Sequence, residues 1–217
     1  MKARGLKFAF VTSLTLGRAP LIGLFLVIAL AVNTREHPFW FAVGFGAMIL
    51  AAFTDLFDGY FARKFDMVTK LGAYADPLTD KVFYVCTLPT LVYVAGRQGE
   101  CAHAAILVLL TVLLLLRDQW VSFLRSVGSL HNVDAKANWS GKWRTIVAFI
   151  TICYCYWHFQ APPHFWIVVP AVQIYVMEGL TLALNLISVW VYTRRYWPSL
   201  REEILVPLKR KIGEGED

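Results

Sequence analysis

The sequence predicts an all-α integral membrane protein with six transmembrane helices and both termini on the cytoplasmic side. Three observations carry that expectation. Of the 217 residues, 58% are hydrophobic and only 17% charged, with a mean hydropathy of +0.54, too little charge to cover a water-soluble surface. The apolar residues fall in long runs separated by short polar connectors. The cations, finally, collect in alternate connectors.

A spanning helix needs roughly 20 mostly apolar residues, and six stretches qualify: about 12–32, 39–61, 72–95, 103–126, 143–160 and 165–193. The last is long enough to tilt or to continue past the bilayer. Polar and helix-breaking segments divide them at Asn33 to Pro38, Lys64 to Lys70, Gly96 to Glu100, Gly128 to Asn138 and Ala161 to His164. Lys2, Arg4 and Lys7 before an apolar run resemble a signal peptide, but Arg18 interrupts the run, so a retained first helix is expected. The expected organisation is one domain over residues 1–200, then a basic and finally acidic cytoplasmic tail over 201–217.

Fifteen Lys and Arg lie in the N-terminus, the second and fourth connectors and the tail, against only Arg35 and Arg97 on the other side. By the positive-inside rule the cation-rich side is cytoplasmic. The formal charge of +6 is thus explained by topology, and no nucleic-acid partner is expected. Many of the eight Trp and nine Tyr sit near the ends of apolar runs, among them Trp40, Trp139, Trp157 and Trp197, as in an interfacial belt beside a lipid bilayer. Cys86, Cys101, Cys153 and Cys155 show no zinc-like spacing and read as buried free thiols.

Charges inside spanning segments are costly and mark function by default. Four acids gather at one depth. Asp55 and Asp58 lie near the end of the second helix, and Asp76 and Asp80 near the start of the third. At about 1.5 Å per residue, Asp55 is about 12 Å from Arg63. Positions 55, 58, 59 and 62 share one helix face and read Asp, Asp, Gly, Ala; positions 72, 76 and 80 share another and read Gly, Asp, Asp. Pairing with Arg63, Lys64, Lys70 and Lys81 accounts for one or two such acids, not four. An all-oxygen, carboxylate-rich set suits Mg²⁺ or Mn²⁺. A divalent-cation transporter is the alternative of another class. It calls for a site at the membrane midplane with repeated halves or broken helices, and neither is seen.

The pattern Asp55-x2-Asp58-Gly59-x2-Ala62-Arg63-x8-Gly72-x3-Asp76-x3-Asp80 resembles, at every fixed position, the signature of CDP-alcohol phosphotransferases. Leu14 to Arg18, Asp76 to Lys81, Arg117-Asp118 with Arg125, and Ser140 to Thr145 are similar to the bacterial phosphatidylglycerophosphate synthase branch of that family. Val11-Thr12 stand where that branch usually has Pro-Asn, and Arg144 where it has a second Lys. The resemblance implies transfer of a phosphatidyl group from CDP-diacylglycerol to a polar acceptor in a bacterial inner membrane, with the site facing the cytoplasm. Glycerol 3-phosphate is the favoured acceptor, inositol phosphate or another alcohol the rival. It further implies that Asp55, Asp58, Asp76 and Asp80 hold two Mg²⁺ or Mn²⁺ ions, with Asp80 also the general base. Asp55, Asp58, Gly59, Ala62, Arg63 and Gly72 would accept the CDP moiety, and a homodimer is implied. The acceptor's phosphate needs cations, for which Arg117, Arg125, Lys142 and Arg144 are the candidates, with Arg18 and Lys81 in reserve.

Overall fold

A computed structural model of the chain describes the backbone of residues 2–64, 70–131, 139–165 and 167–213, and the side chains of 17–54, 81–131, 139, 141–165 and 167–205. Six helices account for most of it: α1 (Lys2–Ala31), α2 (Pro38–Lys64), α3 (Lys70–Arg97), α4 (Cys101–Leu130), α5 (Trp139–Gln160) and α6 (Ala171–Gly213). No strand occurs among the described residues. Among the described residues, Cys101–Leu130 and Ala171–Leu205 are long and apolar enough to cross a membrane, and Gly17–Ala31 of α1 and Pro38–Thr54 of α2 are further apolar stretches.

The elements end where local chemistry stops them. α3 closes on a glycine cap: Gly99 takes φ 79°, the Glu100 N–H donates to the Ala95 carbonyl at 3.0 Å and the Gly99 N–H to Gly96 at 3.1 Å, a paired arrangement that satisfies the last carbonyls. The expected sixth helix over 165–193 is displaced. It starts at Ala171, because Pro162, Pro163 and Pro170 lack the N–H a helix needs and disfavour helical geometry before them. It then runs on to Gly213, so residues 201–213 continue the helix. Inside the apolar helices, Thr87, Thr90, Thr111, Thr151 and Thr181 donate their hydroxyls to the carbonyl four residues back. This satisfies a polar group without a second helix.

The chain forms two compact units, Met1–Thr111 with Ile152–Tyr175, and Val112–Thr151 with Val176–Asp217. In the first unit α1 packs on α2 and α3. Its core is aromatic: Tyr156 lies with its ring centroid 5.3 Å from Phe25, 5.7 Å from Phe41 and 6.0 Å from Phe45. Gly44 makes room for that ring, since a Cβ there would come within 2.5 Å of the Tyr156 hydroxyl. The buried face of α2 repeats at 3–4 residue intervals through Phe41, Gly44, Met48 and Ala51, and that of α3 through Phe83, Thr87, Thr90 and Val94.

The second unit is inside-out relative to a soluble bundle. On α6, Glu178, Thr181, Asn185, Ser188, Tyr192, Tyr196 and Ser199 are all buried, spaced three or four apart on one face. Its opposite face exposes Val176, Leu186, Ile187, Trp190 and Trp197. A polar face turned in and an apolar face turned out is what a hydrocarbon surround demands. Several of the inward groups are hydrogen-bonded to α4 or α5. The Asn185 side-chain amide donates to the Leu113 carbonyl at 3.0 Å, and the Thr151 and Thr181 hydroxyls meet at 2.7 Å. α4 and α6 approach so closely at Gly128 that a Cβ there would run into the Tyr196 ring.

The four cysteines are free, as expected, but Cys101 is exposed and only Cys155 is fully buried. Cys101 opens α4 just after the glycine cap, where the chain has left the packed interior.

Gly128→Ala should lower the thermal midpoint in detergent, by the ~1–3 kcal/mol typical of overpacking. Combined with Tyr196→Leu, the loss should be smaller than the sum of the two single losses, as measured in a double-mutant cycle.

Candidate active site

Two sets of residues proposed from the sequence fall on these helices. The first is the aspartate set. Asp55, Asp58, Gly59, Ala62 and Arg63 lie on α2, and Gly72, Asp76 and Asp80 on α3. Their side chains lie outside the described residues, but the backbone fixes their register. Continuing the buried repeat of α2 beyond Ala51 lands on positions 55, 58 and 62. Continuing that of α3 back from Phe83 lands on 80 and 76. By backbone register alone, these positions continue the periodic repeat of α2 and of α3. Among the described residues no group of three or more His, Cys, Asp or Glu is gathered to hold a metal ion, and the four aspartates are not among those residues. Arg18 continues the buried stripe of Ile22, Phe25 and Ala29 on α1, and Lys81 is half-buried beside the aspartate end of α3.

The second set is the cation cluster of the second unit. Arg117 on α4 and Arg144 on α5 are each buried to 7% exposure. Both donate to the same oxygen of Asp118: Arg117 Nη1 at 2.9 Å and Arg144 Nη2 at 3.1 Å. Arg117 also donates from Nε and Nη2 to the Ser188 hydroxyl, at 3.0 and 2.6 Å. The Tyr192 ring lies beneath two guanidiniums, 5.0 Å from Arg117 Cζ and 5.4 Å from Arg125 Cζ, and its hydroxyl accepts from Arg125 Nη2 at 3.2 Å. Cation–π contact of this kind holds guanidiniums in place without neutralising them.

Helix phase explains which cations join. Gly141, Arg144, Ala148 and Thr151 share the inward face of α5. A Cβ at Gly141 would lie 3.4 Å from both Arg117 Nη2 and the Tyr192 hydroxyl, so glycine lets those groups approach the backbone. Lys142, one position along, is exposed and joins none of these contacts. Of the four cations proposed for an acceptor phosphate, the structure thus gathers Arg117, Arg125 and Arg144.

The reading by residue type missed the contribution of α6. Ser188 and Tyr192 orient the arginines, and the signal for them was the periodic polar stripe rather than any motif. Arg117, which the sequence left open between Asp118 and a ligand, takes Asp118 as its partner. Two buried guanidiniums share that one carboxylate oxygen, so positive charge predominates among these three side chains. Planar fork donors in a partly desolvated setting are suited to an anion such as phosphate.

These features have counterparts among known proteins. Residues 10–191 match the sequence profile described as CDP-alcohol phosphatidyltransferase, and the chain belongs to that family. It is an enzyme of the phosphatidyltransferase class. A CDP-diacylglycerol–glycerol-3-phosphate 3-phosphatidyltransferase of Haemophilus influenzae is 30% identical over 157 residues, covering 71% of this chain and 79% of that protein. The Bacillus subtilis protein of the same name is 31% identical over 153 residues, covering 67% and 75%. That of Salmonella paratyphi A is 26% identical over 177 residues, covering 81% and 89%.

Tyr192→Phe should keep the ring beneath both arginines while removing the acceptor for Arg125, and Tyr192→Leu should remove both. Thermal midpoints should fall in the order wild type, Phe, Leu, the last step reflecting a cation–π loss of about 1 kcal/mol or more.

Proposed function

We propose that this chain transfers the phosphatidyl group of CDP-diacylglycerol to glycerol 3-phosphate and releases CMP. We further propose that it does so as a six-span protein of a bacterial inner membrane, with its termini and site on the cytoplasmic side. The observation that carries the choice of acceptor is the arginine cluster: Arg117 and Arg125 over the Tyr192 ring, and Arg144 sharing one oxygen of Asp118 with Arg117. An acceptor that brings its own phosphate needs such a site, and an uncharged alcohol does not. The names of the relatives at 30 and 31% identity point the same way. Their modest identity leaves inositol phosphate, which also carries a phosphate, as the rival acceptor. Cation distribution supports the orientation, and the inverted polarity of α6 supports the lipid surround.

The donor set of Asp55, Asp58, Asp76 and Asp80 is all oxygen and fourfold acidic, which fits two Mg²⁺ or Mn²⁺ ions in chemistry and in helical register. When bound, the ions would supply charge neutralisation at the pyrophosphate and at the departing CMP. The rest falls to the protein. Gly59 and Ala62 would leave space for the cytidine nucleotide, with Gly72 beside it on α3, and Arg63 would face its phosphates. Arg117, Arg125 and Arg144 would hold the acceptor phosphate, which orients the hydroxyl and reduces the entropy lost in reaching the transition state. Asp80 would take the hydroxyl proton as the acceptor oxygen bonds to the phosphatidyl phosphorus and the bond to the CMP oxygen breaks. The functional assembly proposed is a homodimer of a single catalytic domain, residues 1–200, carrying the 201–217 tail.

Purified protein given CDP-diacylglycerol, Mg²⁺ or Mn²⁺ and a panel of acceptors should release CMP with glycerol 3-phosphate. Release with inositol phosphate alone would replace the acceptor, and no release with any acceptor would remove the reaction. Asp80→Asn should fold normally, by gel filtration and melting, yet lose turnover by a factor of about 100 or more. Retained turnover would assign the base elsewhere.

A further inference from the structure

The end of the first unit remote from the aspartates holds a second polar concentration. Asn33, Arg35, Arg97, Gln98 and Gln160 line a cavity of about 300 Å³ there, floored by Val32 and Val94. It lies roughly 25 Å from Asp80, counted along α3 at about 1.5 Å per residue. Arg35 and Arg97 are the same two cations that topology leaves on the cation-poor side, and both line this one cavity.

Its walls are prearranged. Gln160, 5% exposed, accepts the Thr34 hydroxyl on Oε1 and directs Nε2 to the Ala29 carbonyl, while Gln98 donates to the Phe159 carbonyl. Arg97 rests over the Tyr93 ring at 5.7 Å with Nη1 3.4 Å from the Leu30 carbonyl, contacts that leave most of its five N–H donors unused. Arg35 makes no ion pair among the described residues, and no carboxylate lines the cavity; the nearby Glu36 accepts from Asn33 at 2.8 Å. Just inward of the guanidiniums, Val27, Leu30 and Tyr93 present exposed apolar surface. Forked cations above an apolar wall match a phosphate on top and acyl chains below.

We propose that this cavity binds the headgroup phosphate of an anionic phospholipid in the leaflet opposite the aspartates. The inference rests on the orientation proposed above and is independent of the reaction. The test uses the full chain in neutral detergent, titrated with dioctanoyl phosphatidylglycerol, dioctanoyl phosphatidylcholine or inorganic phosphate while the thermal midpoint is followed. Phosphatidylglycerol should raise the midpoint of the wild type. In Arg35→Gln/Arg97→Gln its apparent affinity should fall about tenfold, the loss expected for charge-assisted hydrogen bonds, with CMP release unchanged. Arg35→Lys/Arg97→Lys, which keeps charge without the fork, should fall between the two and serves if the first variant misfolds.

Equal responses of wild type and both variants would overturn the site. An equal effect of phosphatidylcholine, which carries the same phosphodiester beside a choline cation, would overturn the preference for an anionic lipid. Inorganic phosphate reproducing the whole shift would make the ligand free phosphate rather than lipid. Cys101, exposed at the same end, reports the orientation separately. It should react with an impermeant maleimide in spheroplasts, and reaction only after lysis would overturn the orientation and hence the assigned leaflet, whatever the binding result.

Discussion

A polar group in a hydrocarbon surround must find its partner within the protein, and the second unit is organised around that requirement. α6 carries seven polar side chains in a single buried stripe, and several of them constrain what α4 and α5 can place opposite. Asn185 claims the Leu113 carbonyl, Thr181 meets Thr151, and Ser188 takes two N–H groups of Arg117. Rotating α6 by one residue would turn these groups toward lipid at a cost of several kcal/mol for each left unsatisfied. Packing among apolar side chains alone would not specify one rotation so sharply, since lipid tails compete with them on nearly equal terms.

The arginine cluster inherits its geometry from that constraint. Arg117 and Arg144 are buried cations, and buried charge is retained only where it is paired and hydrogen-bonded. Asp118, Ser188 and the Tyr192 face together satisfy that condition while leaving cationic character in excess. Gly141 lets Arg117 and Tyr192 approach the backbone of α5, and Gly128 lets Tyr196 approach that of α4. Charge placed by a rigid scaffold in a poorly solvated setting interacts more strongly with an incoming anion than the same charge in water.

Much of this was legible in the sequence, and the exceptions have physical causes. The six helices follow from apolar runs, and the described breaks before Pro38 and at Gly99 fall where Pro, Gly and charged residues put them. The N-terminal limit of α6 was misplaced because Ile167, Val168 and Val169 look like helix interior, whereas Pro170 decides the start. The aspartates were singled out by their spacing, and their side chains lie outside the described residues. Ser188 and Tyr192 escaped notice because a hydropathy average over α6 is dominated by Leu, Ile, Val and Trp. A polar residue every third or fourth position barely shifts that average, though it defines a face. Lys142 and Arg144 look interchangeable as cations, and only helical phase relative to Gly141 separates the exposed one from the buried one.

The polar stripe of α6 also bears on modularity. A helix whose inward face is written in specific donor–acceptor pairs is not an exchangeable part. A chimera that imported α6 from a relative would have to bring the matching positions of α4 and α5 with it. The unit that can be exchanged without orphaning a buried polar group is the matched face across three helices rather than the single helix.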